Sequence, residues 1–253
     1  MRKSYLLLWI LPLALIILFA PFSAWLDLRT SAFFYSGEGS FCSTSLLDFY
    51  FTYGEVFGFL IGVPSLVFLL VSRFYNRWAP LRLPAFFLVM SLIIGPGVIV
   101  NLTMKQFWGR PRPLQIHEFG GKHDFRPFWS PKISIYSEHA LRSFPSGHSS
   151  MGFYNLAFIF LGRRYKIRTL TSVGAGLTAF WGIGLMFTRI AQGGHFLSDV
   201  LISPIIMLWV MILLDRFLYG NHKWSIQVRK HILALPDDLV YMQTPLRLKE
   251  QTA

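Results

Sequence analysis

Long stretches without a charged residue alternate along this chain with short charged breaks. The charge-free runs cover residues 4–26, 56–72, 83–104, 169–188 and 200–214, with a weaker run over 143–162. A helix needs about 20 predominantly apolar residues to cross the hydrocarbon core of a bilayer. The longest runs reach that length outright, and tilt with flanking aromatic residues brings the others to it. The pattern predicts an all-α integral membrane protein, a bundle of six transmembrane helices in one domain over residues 1–253. Gly95, Pro96 and Gly97 interrupt the third run and predict a bend there, for acyl chains or for packing. Arg2 and Lys3 precede the first run in the manner of a signal peptide. That run is longer than a signal core and lacks a small-x-small cleavage site, so it reads as an uncleaved span.

The charged breaks orient the bundle. Residues 73–82 hold Arg73, Arg77 and Arg82 without an acid, and residues 163–168 hold Arg163, Arg164, Lys166 and Arg168 without an acid. Residues 27–55 hold Arg29 against Asp27, Glu38, Asp48 and Glu55. Basic loops stay in the cytoplasm, which predicts cytoplasmic N- and C-termini. Residues 105–149 and 189–199 then face the other side. The first of these segments is itself basic, which implies another use for its charges. The tail 219–253 is too polar to span and is expected on the cytoplasmic face.

Composition changes the picture in two ways. Hydrophobic residues make up 53% and charged residues 14%, too apolar a balance for a soluble domain. The net charge of +12 is topological and anion-handling rather than a nucleic-acid signature, because no long basic run with interleaved aromatics occurs. Cys42 is the one cysteine, so no internal disulfide forms.

The candidate chemistry sits where the apolar runs end. Lys105 follows the third run, and Gly109-Arg110-Pro111-Arg112-Pro113 cannot continue a helix. Lys105 and Arg112 can converge on a phosphate, Arg as a bidentate fork and Lys as a point charge, or can anchor lipid headgroups at the interface. Pro145-Ser146-Gly147-His148 opens the fourth run. Gly147 and the Ser146 hydroxyl suit an anion at a helix start, and equally an ordinary start with Ser146 as cap. Arg189 closes the fifth run, and His195 and Asp199 stand four apart on one helical face. A carboxylate that accepts Nδ1–H fixes the imidazole tautomer and leaves Nε2 free to attack. Nearby cations are expected to keep His195 neutral. A helix-start ion pair is the plainer reading, and it leaves Arg189 unexplained. His117, Glu118, His123, Asp124 and His139 lie in the long outer segment, as entrance lining or as solvated loop. Arg110 is open between substrate binding and turn support.

Together these segments resemble the type 2 phosphatidic acid phosphatase superfamily, membrane lipid phosphatases related to vanadium haloperoxidases. The family pattern is Lys-x6-Arg-Pro, Pro-Ser-Gly-His, then Ser-Arg-x5-His-x3-Asp. Lys105, Arg112 and Pro113 fit its first element, Pro145 to His148 its second, and Arg189, His195 and Asp199 its third. Thr188 replaces the usual Ser and keeps the hydroxyl. The resemblance covers about residues 84–218. It implies a six-span bundle with its site at the outer surface and no cofactor or metal. It also implies His195 as nucleophile forming a phosphohistidine, Asp199 as its support and His148 as proton donor. Lys105, Arg112, Arg189, Ser146 and the Gly147 N–H would hold the phosphate.

The expected function is a phosphatase of the bacterial inner membrane, acting at the periplasmic face on a membrane lipid phosphate, with lipid A preferred. Undecaprenyl pyrophosphate and phosphatidylglycerophosphate are alternative substrates, and a lipid phosphotransferase would share the first half-reaction. An anion-binding transporter predicts two related halves, and no internal repeat is visible. No nucleic acid or obligate protein partner is expected.

Overall fold

The computed structural model describes residues 2–133 and 141–220, with side chains from residue 7 onward. The chain is helical throughout its apolar runs: α1 Arg2–Phe34, α2 Ser45–Ser72, α3 Ala79–Leu92, α4 Lys105–Phe107, α5 Gly147–Phe153, α6 Leu156–Arg164, α7 Arg168–Leu177, α8 Gly184–Ala191 and α9 Leu197–Tyr219. A π-helical stretch, Ile93–Met104, joins α3 to α4, and another, Thr178–Ile183, joins α7 to α8. Among the described residues five helices are long and apolar enough to cross a membrane: Leu7–Phe34, Ser45–Ser72, Asn76–Phe107, Arg168–Ala191 and Leu197–Tyr219. The fourth expected span, residues 143–162, is instead the short pair α5 and α6, interrupted at Tyr154 and Asn155.

The outer helices carry apolar surfaces, as lipid surroundings dictate. α1 turns Leu7, Leu11, Leu18, Phe22 and Trp25 outward and buries Ser23, Asp27 and Ser31, four apart on one stripe. Lipid tails are as apolar as leucine, so helices associate through small and polar contacts instead. α2 shows the same rule with glycine. Gly54, Gly58 and Gly62 are buried at four-residue intervals, and a Cβ on each would overlap Leu185, Met151 and Leu92 respectively. α9 is the central helix, and Met207, Val210 and Met211 pack with Phe87, Val100 and Tyr154 into the main core.

Two expectations shift here. α1 runs on to Phe34, so Asp27 belongs to a buried helix face and not to the outer loop. A short hairpin, β1 Tyr35–Gly37 with β2 Ser40–Phe41, makes the connection. Arg82 is also more than a topological charge: it is buried and caps α2 by donating to the Ser72 carbonyl. At the same end Arg164 forms a bidentate pair with Asp215, at 3.1 and 2.6 Å. The tail beyond Gly220 lies outside the described residues.

Candidate active site

The three sequence segments meet at one end of the bundle, and the backbone ties them together. Leu114 N–H donates to the Gly193 carbonyl at 3.2 Å, and Ser146 N–H to the Asp199 carbonyl at 3.2 Å. Ser203 Oγ donates to both the Ser146 and Asp199 carbonyls, each at 2.9 Å. The His195 N–H donates to the Arg189 carbonyl at 3.0 Å, which folds the Gly193-Gly194 turn back on α8.

Each cation is placed by a local feature. Lys105 stands at the end of the π-helical stretch, where its ammonium lies against Gly147. A Cβ at Gly147 would come within 3.2 Å of Lys105 Nζ and 3.0 Å of Asn101 Oδ1. Arg112, extended before Pro113 as its proline neighbour requires, is fixed by its N–H donating to Gln115 Oε1 at 2.8 Å. Arg189 lies over Gly194, where any Cβ would overlap its guanidinium, and over the Phe51 ring at 4.7 Å. Its NH1 donates to Gln192 Oε1 at 3.0 Å, and Gln192 Nε2 donates to Asp48 Oδ1 at 3.0 Å.

These cations share one field: Lys105 feels both Arg112 and Arg189. Burial lowers the Arg112 pKa from its ordinary range, with Asp199 in opposition. The Nε atoms of Arg112 and Arg189 are buried and have no hydrogen-bond partner among the described residues. Such donors are costly unless an acceptor reaches them.

His195 is almost fully buried. Burial pushes its imidazole down to about 3; Arg189 and Lys105 push the same way and Asp199 opposes them. The imidazole is therefore neutral at pH 7, with burial rather than the cations as the larger cause. The expected i, i+4 pair forms, but His195 Nδ1 stands 3.6 Å from Asp199 Oδ2, beyond hydrogen-bond length. Asp199 is held by others. Ser143 Oγ and the Phe196 N–H donate to its Oδ2 at 2.5 and 2.9 Å, and Arg110 donates to its Oδ1.

Ser146 is the N-cap of α5, accepting from Ser149 N–H at 3.3 Å. His148 Nδ1 lies 3.2 Å from Glu55 Oε1, and its ring stacks on Phe51. Among the described residues no group of three or more His, Cys, Asp or Glu gathers as a metal site would. His117 faces Asp124 at 3.8 Å in the exposed loop, and His139 lies outside the described residues.

Sequence reasoning missed the support beneath the site. Arg110 is wholly buried. Its NH2 donates to Asp27 Oδ2 at 2.7 Å, its NH1 to Ser198 Oγ at 2.7 Å and to Asp199, and its Nε to the Arg126 carbonyl at 2.8 Å. Phe196 lies 4.4 Å from the guanidinium carbon. Arg110 therefore serves the turn and Asp199 rather than a substrate. The signal for Asp27 was the stripe Ser23, Asp27, Ser31, a polar face on an otherwise apolar helix.

Residues 83–223 match the sequence profile of the PAP2 superfamily. The chain belongs to the PAP2 superfamily. This PAP2 chain is 34% identical over 195 residues to the lipid A 4'-phosphatase of Francisella tularensis subsp. novicida (strain U112), covering 74% of this chain and 84% of that protein. It is 34% identical over 113 residues to the lipid A 4'-phosphatase of Rhizobium leguminosarum, 45% of this chain and 46% of that protein. It is also 33% identical over 123 residues to the lipid A 1-phosphatase of Rhizobium johnstonii (strain DSM 114642 / LMG 32736 / 3841), 48% of this chain and 43% of that protein. No solved structure matches it. The PAP2 match begins after α2, so Asp27, Asp48, Phe51 and Glu55 reach the site from outside the matched stretch.

Proposed function

We propose that this PAP2 protein is a lipid phosphatase of the bacterial inner membrane that removes a phosphate from lipid A at the periplasmic face, through a phosphohistidine. The carrying observation is the convergence of Lys105, Arg112 and Arg189 around a neutral, buried His195, with two buried guanidinium Nε atoms that no acceptor among the described residues reaches. A phosphate supplies those acceptors.

In the first half-reaction the His195 Nε2 lone pair forms a bond to phosphorus as the bond to the leaving oxygen breaks. His148 gives its Nε2 proton to that oxygen; burial of the ring and the charges of Arg189, Lys105 and Arg112 oppose that proton, and the phosphate dianion offsets those charges. In the second, water attacks the phosphohistidine, His148 takes the water proton, and the P–N bond breaks. Lys105, Arg112 and Arg189 offset the charge that develops on the phosphoryl oxygens, usually the largest catalytic contribution. These fixed cations carry the charge in this scheme, so no metal takes part in it. Gly147 serves by admitting Lys105. The polarity of the substrate headgroup matches the basic outer segment, and the names of the relatives favour lipid A, the 4' position first.

Purified protein supplied with lipid A, undecaprenyl pyrophosphate and phosphatidylglycerophosphate in the presence of a chelator is expected to release phosphate fastest from lipid A. His195→Ala should lower that rate by about 10³-fold or more. A His195→Ala protein with most of the wild-type rate would remove the nucleophile assignment, and release from another lipid alone would remove lipid A.

A further inference from the structure

α2 precedes the PAP2-matched stretch, yet it forms one wall of the site. Phe51 and Glu55 are four apart and share a helical face. Glu55 Oε1 is within hydrogen-bond distance of His148 Nδ1, at 3.2 Å. The Phe51 ring stacks on the same imidazole, centroids 5.1 Å apart and planes 15° from parallel, and it also carries the Arg189 guanidinium. A carboxylate is a poor neighbour here. Its charge acts on Lys105 and Arg189 as well, and opposes an incoming phosphate. Nor does a pair whose side chains are 17% and 42% exposed contribute much to stability. An acid that costs anion affinity and adds little stability has its use in what it holds.

We infer that Glu55 is a positioning residue for the proton donor: it accepts Nδ1–H from His148, so that the mobile proton is the one on Nε2, and aims Nε2–H at the leaving oxygen, while Phe51 holds the plane of the ring. This rests on the reading of His148 as that donor. The charged groups around His148 are Glu55 from α2, Arg189 from α8, Lys105 from α4 and Arg112 from the following loop; the three cations oppose a proton on the ring, and the Phe51 backbone carbonyl is a second acceptor beside Glu55. Glu55 keeps its Nδ1–H bond throughout. The proton that moves is the one on Nε2, as the P–O electron pair passes to the leaving oxygen.

The test uses two phosphate monoesters with the same lipid tail, one with an alkyl and one with a nitrophenyl leaving oxygen. The alkoxide needs a proton to leave, and the nitrophenolate does not. kcat/KM reports the steps up to phosphohistidine formation and so isolates this proton transfer. Glu55→Gln is expected to lower kcat/KM for the alkyl ester by about tenfold or more relative to the nitrophenyl ester, whose own kcat/KM should hold or rise as the opposing charge is removed. Glu55→Asp, which keeps the charge, should recover part of the alkyl rate. Equal loss on both esters, or no loss on either, would overturn the assignment. His148→Ala separates the two levels. If it too is selective against the alkyl ester while Glu55→Gln is not, Glu55 alone is misassigned. If His148→Ala falls equally on both esters, the proton-donor reading itself fails.

Discussion

Arg110 carries more of this site than its position beside Arg112 suggests. One guanidinium fork satisfies Asp27, Ser198, Asp199 and the Arg126 carbonyl at once, wholly out of water. An ammonium offers a single point of charge in place of that fork, so Arg110→Lys is not conservative here. Arg110→Gln leaves two buried carboxylates facing each other, and breaking such a pair costs about 3–5 kcal/mol. Both variants are expected to lower the melting temperature in detergent and to reduce kcat, because Asp199 loses its anchor. Their KM should move little, since Arg110 does not face the phosphate site; a large rise in KM with kcat intact would contradict this. The neutral His195 adds a pH expectation. Its pKa is held down to about 3, chiefly by burial. Its protonation therefore adds no acid limb to the rate between about pH 5 and 8, which a pH–rate profile of kcat/KM checks. The residues in these motifs were legible because their spacing is local: Lys105 to Arg112 spans one helix end, and His195 to Asp199 one helical turn. Asp27, Phe51 and Glu55 were not, because their partners lie far along the chain and only packing brings them near.

At the scale of elements, hydropathy alone located five of the long helices, and their ends were where it failed. α1 outruns its apolar run because Asp27 is paid for by Arg110, an ion pair that no local pattern announces. Tyr154 and Asn155 divide the fourth span into α5 and α6, and the Asn155 side chain donates to the Gly152 carbonyl at 2.9 Å. The bend expected at Gly95-Pro96-Gly97 takes the form of a π-helix, with Asn101 Nδ2 donating to the Pro96 carbonyl at 2.8 Å. The glycine stripe of α2 is the device that brings Phe51 and Glu55 close to the site. Gly62 lies at the far end of that stripe from the catalytic groups. Gly62→Leu would gain about 1 kcal/mol in helix propensity. Overpacking against Leu92 costs about 1–3 kcal/mol, so the net effect is destabilising. A lower melting temperature with unchanged KM is the expected result, and an unchanged melting temperature would show that α2 does not need this close approach.

The whole molecule places the groups of the three motifs at one end. α1 and α8 finish there, α2, α5 and α9 begin there, and α4 closes the third segment there. An odd number of crossings between any two would separate them, so the six-segment reading and the proposed phosphate site stand or fall together. In the proposed orientation the basic breaks at the opposite end lie in the cytoplasm and the site faces the periplasm. In a Cys42→Ser background, cysteines placed at Lys122 or Asp124 should react with a membrane-impermeant thiol reagent added from the periplasm. Reaction only after the inner membrane is permeabilised would reverse the orientation. The buried Asp27 also has a consequence for how the protein is made. Asp27 lies 83 residues before its cation, and 171 before Ser198, whose N–H and hydroxyl both donate to it. A ribosome releases the acid first and its partners much later. The first helix therefore waits in the bilayer with its charge unmatched, and the last of the described helices to be synthesised is the one that completes the site.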